Sequence, residues 1–359
     1  MPSRLKAISL FSCIGVAEHF LQDIGIDVVV ASDIDSKRCE AHKFLYPHTT
    51  CVCGDIRSPK VKKEIIEAAN ERAIDLVLCT PPCQGMSSAG KNRSYNALVT
   101  SKDERNSLIL ESFDIIDYFH PKYVLFENVP RLLKIELAYQ DGTASIEQIL
   151  SKKYGDDYII KIDILNSCNF SIPQNRERCF IRMFKKGLTW KDPVPDTHIV
   201  TLREAIGNLP SIEPGEDSGI KNHWARKHPE TQISWMRHTP EGCSAVLNET
   251  FYPQKANGER IKSYPNCYKR MIWDAPAPTV TMRNEIISSQ DKVHPGRPLG
   301  NGLWSDARVL TLRELLIVMS LPPDLDLPRN LSDAYLRQCI GEGIPAMLVK
   351  KLMQGICKD

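Results

Sequence analysis

Apolar positions along the chain gather into short runs separated by amphipathic stretches. Leu5 to Phe11, Asp27 to Ala31, Thr49 to Cys53, Ile74 to Cys79 and Lys122 to Phe126 are too short for helices and read as buried strands. Val16 to Ile24, Ser36 to Tyr46, Pro59 to Glu71 and Asp103 to Phe119 carry helical spacing between them. Such alternation predicts an α/β fold built on a doubly wound, mostly parallel sheet. Further strands are expected at Tyr158 to Leu165 and at residues 178–184, after a helix near Thr143 to Lys153.

From Gly187 the alternation fades while Pro, Gly, Trp, Tyr and His rise, which predicts a second, irregular domain over 187–307. Helical patterning returns at Thr311, which caps a helix through Ser320 with Glu314 at the capping-box position. Gly341 to Pro345 then leads into a last helix from Ala346 to about Ile356, whose apolar face suits docking on the sheet. The large domain is therefore expected to be discontinuous, 1–186 with 308–359.

Composition narrows the function classes. With 359 residues and 42% hydrophobic content the chain can bury a large core. Its net charge of +2 leaves only a local patch to favour nucleic acid. Between Lys221 and Trp273 nine Lys/Arg face four Asp/Glu, interleaved with Trp224, Trp235, Phe251, Tyr252, Tyr264 and Tyr268. That composition suits a phosphate backbone and base edges, and equally a protein partner. Twelve scattered cysteines and an N-terminus without an extended apolar region read as reduced thiols of a cytoplasmic protein, or a nuclear one if the source is eukaryotic. Neither Cys51-Val52-Cys53 nor the irregular set His223, His228, His238 and Cys243 has zinc-site spacing; no metal is expected, and the histidines read as surface or phosphate-contacting. The longest apolar run, Leu315 to Met319, is far below the ~18 residues of a membrane span.

Candidate chemistry sits at strand ends, where open α/β sheets bind ligands. Thr80-Pro81-Pro82-Cys83-Gln84-Gly85 would present a thiol on a stiffened turn, although a buried, inert cysteine reads equally well. Residues 85–102 read as a mobile surface loop that could close over a substrate. Asp33, roughly 20 residues past the first turn, could accept two ribose hydroxyls or cap the next helix. Glu127-Asn128-Val129-Pro130 puts an acid at the following strand end, with capping or solvent exposure as its alternatives. Arg176 and Arg178 would share one face of an extended segment, lining a solvated edge or facing carbonyl and phosphate oxygens.

Pro81-Pro82-Cys83-Gln84, Glu127-Asn128-Val129 and Gln174-Asn175-Arg176-Glu177-Arg178, in this order, resemble the carbon-5 cytosine DNA methyltransferases of restriction–modification systems. Arg308 to Glu314 and Gly341 to Pro345 resemble the late segments of that family. The resemblance implies a Rossmann-like S-adenosylmethionine-dependent fold, with 187–307 as target-recognition domain. It implies Cys83 as the nucleophile on carbon 6 of cytosine, Glu127 as a carboxylic acid at ring nitrogen 3, and Arg178 on the carbonyl oxygen. Asn128 belongs to the same motif, and Arg176 would orient the catalytic loop or a phosphate. Phe11, Ser12, Cys13, Ile14, Gly15, Asp33, Ile34, Asp55, Ile56, Pro82 and Glu342 fall where the family binds S-adenosylmethionine, which is converted to S-adenosylhomocysteine. Double-stranded DNA with a flipped-out cytosine is the implied substrate, a cognate endonuclease an implied companion, and a monomer the expected state.

Three departures stand out: Cys13 and Val16 replace glycines of the first turn, and Glu342 stands where the family has asparagine. A positive φ at either turn position would cost about 1–2 kcal/mol. Rival readings are a tRNA cytosine-5 methyltransferase and a catalytically silent DNA-binding subunit.

Overall fold

A computed structural model describes residues 4–82 and 104–356. The chain forms two compact units: Met1–Asn166 with Glu177–Val194 and Val349–Asp359, and Ser167–Arg176 with Pro195–Leu348. The first unit is built on seven strands, here β1 (Leu5–Leu10), β2 (Ile26–Asp33), β3 (Thr50–Cys53), β4 (Leu76–Cys79), β5 (Tyr123–Asn128), β6 (Tyr158–Asn166) and β7 (Glu177–Lys185). Their order is β3-β2-β1-β4-β5-β7-β6. β1 to β5 are parallel, and β7 runs antiparallel between β5 and β6. Every position of β4 and β5 is buried, as both faces of a central parallel sheet require. Ile8, Leu10, Val30, Val77, Val124, Phe126 and Ile181 join one core.

Parallel register carries the strand ends to one edge: Leu10 pairs with Ser32 and Cys79, and Cys79 with Phe126. Sequence order reverses between β1 and β4, which places a ligand crevice there. Helix α1 (Ser36–Leu45) is capped by Asp35, whose carboxylate accepts the Lys37 and Arg38 N–H groups. Asp33 is therefore not the cap. Helix α2 (Pro59–Ala68) starts on a proline that needs no N–H partner. Helix α3 (Phe113–Phe119) follows a 3-10 stretch over Glu104–Ser112, and α4 (Ile146–Tyr154) opens on a Ser145–Gln148 capping box. Where a helix is expected from Val16 to Ile24, two 3-10 turns form, Val16–Glu18 and Gln22–Ile24. Gly15 (φ 81°) and Gly25 (φ 76°) bound this segment in left-handed backbone.

The second unit is as irregular as its composition suggests. Its loops satisfy their carbonyls with buried guanidiniums rather than strand partners. Arg270 donates to the carbonyls of Met236, Thr239, His294 and Asp306 over 2.8–3.2 Å. Arg308 donates to Ile212 O and to the carboxylates of Asp306 and Glu314. Thr311 and Glu314 form the capping box of helix Leu312–Val318, as read from the sequence. Arg308 binds this helix to residues 212 and 306, and the segment 308–348 falls in the same compact unit as 195–307. His223 is not a surface histidine: it is buried between the Thr311 hydroxyl and Pro210 O. Among the described residues no helix is long and apolar enough to cross a membrane, and no His/Cys/Asp/Glu group could hold a metal ion.

Candidate active site at the strand ends

Cys83 and the whole 85–102 loop lie outside the described residues, whereas Thr80, Pro81 and Pro82, which lead into it, are described. Thr80 leaves β4 with its N–H on Leu10 O (3.2 Å) and its hydroxyl on Phe11 O (3.0 Å). Pro81 has no N–H to offer, and its carbonyl accepts the Asn128 amide at 3.2 Å. The Asn128 carbonyl in turn accepts Val129 N–H at 2.8 Å, which fixes the orientation of the amide. Three strand ends, those of β1, β4 and β5, are thereby stitched at the residues that precede Cys83. Pro82, half-buried, is the last described residue before it.

Glu127, one residue before Asn128, is 8% exposed. The antiparallel β5–β7 pair sets Phe180 opposite Glu127, so Arg178, two residues back along β7, flanks the same strand end. Its Nε lies 3.1 Å from Glu127 Oε1, and a second nitrogen donates to Glu177 O at 2.7 Å. A carboxylic acid and a guanidinium side by side can donate to two adjacent acceptors on one edge of a planar ring. Arg176 does not share this face. Residues Gln174–Asn175 form a separate two-residue strand with Ala277–Pro278, and the extended run breaks at Arg176. Arg176 is buried in the second unit, donating to Val280 O (2.6 Å), Gly341 O (3.3 Å) and Glu342 O (3.3 Å). It thus holds the Gly341-Glu342 segment. Glu342 Oε1 accepts the Gln338 amide at 3.2 Å.

The first turn is held from several sides. Cys13 adopts φ 50° and Phe11 φ 60°, so the cost foreseen for a non-glycine residue falls on Cys13; Val16 has no positive φ. Asp33, 6% exposed, accepts Cys13 N–H at 2.9 Å on one oxygen and Asp35 N–H at 3.0 Å on the other. Ser12 N–H bonds Ser32 O, and Ser12 and Ile14 are buried. Beside Asp33, Ile34 is 64% exposed, an apolar shelf next to an acid. Ile56 is buried behind Asp55. A side-chain hydrogen bond from Arg57 holds the Asp55 carboxyl below its ordinary range and engages both its oxygens. A buried acid with lone pairs to spare, a flat exposed aliphatic group and a tight turn fit a ribose, an adenine ring and a polar tail, so the residues suit S-adenosylmethionine.

Two residues escape a reading by motif alone. Thr80 links turn to loop, and its only signal is a hydroxyl at a strand exit. Gln174 sits inside the quoted arginine motif; it is fully buried, donating to Val318 O and accepting Val280 N–H.

The fold is that of the S-adenosylmethionine-dependent methyltransferases. A putative DNA modification methyltransferase encoded in an Escherichia coli prophage superposes with a TM-score of 0.71 at 19% identity, covering 98% of each chain. The Entamoeba histolytica methyltransferase EhMeth gives 0.67 at 16% identity, again covering 98% of each chain. The family model for C-5 cytosine-specific DNA methylase matches residues 5–358, and the chain belongs to that family. It is 44% identical over 359 residues to the type II methyltransferase M1.HgaI of Avibacterium volantium, covering all of both proteins. It is 27% identical over 361 residues to M1.HphI of Haemophilus parahaemolyticus, covering 99% of this chain and 87% of that one. The protein is accordingly a DNA cytosine-5 methyltransferase of the type II restriction–modification class.

Proposed function

We propose that the protein methylates carbon 5 of a flipped-out cytosine in duplex DNA, with Cys83 as nucleophile on carbon 6. Carbon 5 is a weak nucleophile until the ring is attacked, and a thiolate is the side chain suited to that attack. S-Adenosylmethionine, when bound, supplies the electrophilic methyl group. Asp33 would take the ribose hydroxyls, Ile34 the adenine face, and Asp55 the exocyclic amine by sharing its carboxylate with Arg57. The Phe11-to-Gly15 turn, Pro82 and Glu342 would hold the remainder. Glu127 would hydrogen-bond ring nitrogen 3 and Arg178 the neighbouring carbonyl oxygen, while Asn128 positions the loop through Pro81. Arg176 would act at a distance, by holding Gly341 and Glu342.

The observation that carries this reading is the contact of Glu127 with Arg178 at 3.1 Å, at the strand end whose next residue bonds Pro81. The basic, aromatic 187–307 region serves as target-recognition domain, and an endonuclease for the same site is the companion activity. The monomer is taken as the working unit. The test offers labelled S-adenosylmethionine with duplex DNA and, separately, with tRNA, using wild type and Cys83→Ser. Transfer to DNA alone, abolished in the serine variant, is expected. Transfer to tRNA alone would reject the substrate, and transfer by Cys83→Ser would reject the nucleophile.

A further inference from the structure

The first turn keeps one glycine, Gly15, and holds left-handed backbone at two other positions without one. Phe11 and Cys13 both hold left-handed φ, at about 1–2 kcal/mol for each such residue. Something must keep the turn in that state. Ties from Asp33, Ser32 and Thr80 act on its first half. The second half is held from below by α1 and the chain just beyond it. Tyr46, at the end of α1, donates its hydroxyl to Gly15 O at 2.8 Å. Its ring packs so closely on Gly15 that a Cβ there would lie 2.3 Å from a ring carbon. Burial pushes the Tyr46 hydroxyl above its ordinary range, so it remains a donor at any working pH. His19 Nδ1 lies 3.3 Å from the same oxygen, and burial keeps its imidazole toward the neutral form.

One turn earlier on α1, His42 Nε2 meets Glu18 Oε2 at 2.9 Å, with side chains 0% and 2% exposed. Glu18 N–H returns to Gly15 O at 3.1 Å, so the same carbonyl is grasped twice. The rings of His42 and Tyr46 stand 4.9 Å apart. The Tyr46 hydroxyl and the Glu18 N–H thus meet at one carbonyl, and His42, on the α1 face that carries Tyr46, holds the Glu18 side chain. Val16, where a glycine is usual, is buried 5% exposed and begins the 3-10 turn that carries Glu18 into this contact.

We infer that Glu18, His42 and Tyr46 form a latch that presets the Phe11-to-Gly15 turn for S-adenosylmethionine and so governs cofactor affinity, not the chemical step. These are positioning residues; none is assigned a contact with the cofactor. The inference rests on the proposed assignment of the turn and of Asp33 to the cofactor.

Tyr46→Phe keeps the ring and removes only the hydroxyl. One neutral hydrogen bond corresponds to about a three- to tenfold rise in the S-adenosylmethionine dissociation constant by calorimetry. At saturating cofactor kcat and the KM for DNA should stay within about twofold. Amide hydrogen exchange over Gly15 to Glu18 should quicken in Tyr46→Phe and in Glu18→Gln, while exchange in β4 and β5 holds. Affinity unchanged in Tyr46→Phe, or a fall in kcat with affinity intact, overturns the latch, as does unaltered exchange of the turn. Asp33→Asn separates the two layers of the argument. If it too leaves affinity unchanged, the cofactor assignment fails, and the exchange measurement alone decides whether the latch holds the turn.

Discussion

Removing the charge of Arg178 should separate stability from catalysis. Glu127 and Arg178 are 10% and 13% exposed at the side chain and meet at 3.1 Å, so each offsets part of the other's lost hydration. Breaking a buried pair by deleting one partner costs about 3–5 kcal/mol, because the survivor is left charged and dry. Residual exposure at this strand end places Arg178→Met near the lower figure, with the bond to Glu177 O contributing to the loss. Replacing both members, Glu127→Gln with Arg178→Met, removes both charges and should restore at least half of that stability in chemical denaturation. Activity should not follow. Hydrogen bonds to charged groups are worth about 1.5–3 kcal/mol, so each single variant should lose roughly 10- to 150-fold in single-turnover methyl transfer. The double variant should be no better than the worse single one, while all three bind S-adenosylmethionine normally. Stability of Arg178→Met equal to wild type would show that the pair is not formed. Activity returning together with stability would show that the pair is structural only.

The remaining predictions concern the second unit. Burial holds the His294 imidazole down at about 4, while Glu314, although buried, is brought to about 2 chiefly by the charge of Arg308. Both are depressed below their unfolded values, so the unfolded chain takes up protons first: stability should fall as pH drops from about 6.5 toward 4 for His294, and from about 4.5 through 2 for Glu314. The His294 contribution is at most about 3 kcal/mol, and in His294→Gln the denaturation midpoint should change less between pH 7 and pH 5; an unchanged slope would refute it. Gly341→Ala places a Cβ 2.3 Å from the Thr281 carbonyl oxygen, which cannot swing aside as a side chain could. A loss of about 1–3 kcal/mol in unfolding free energy is expected, and a variant as stable as wild type would show that the backbone at Thr281 yields to the added methyl without cost.

Strand runs were legible because buried parallel strands are continuous apolar segments, and their parallel order brought Thr80, at the exit of β4, and Glu127 to one edge by topology alone. The arginine motif was legible as a signature but not as geometry. Arg176 and Arg178 look like a same-face pair until Gln174–Asn175 pairs with Ala277–Pro278, a contact a hundred residues away that no local period encodes. Asp33 and Asp35 both suit a cap, and only the positions of the Lys37 and Arg38 amides decide between them. In the second unit, folding information lies in single buried side chains such as Arg270, whose partners span residues 236 to 306 and leave no pattern along the chain.

The pairing of β7 with β5 has a further meaning for how this enzyme can change. Glu127 and Arg178 meet only because Phe180 sits opposite Glu127 and Cys179 opposite Asn128. A one-residue slip of β7 against β5 would turn every side chain of β7 to the opposite face and replace the guanidinium beside the acid with a neighbour. A two-residue change would keep the face but carry the arginine about 7 Å along the strand, out of reach. The register of β7 on β5 is thus the ruler that sets the guanidinium beside the acid.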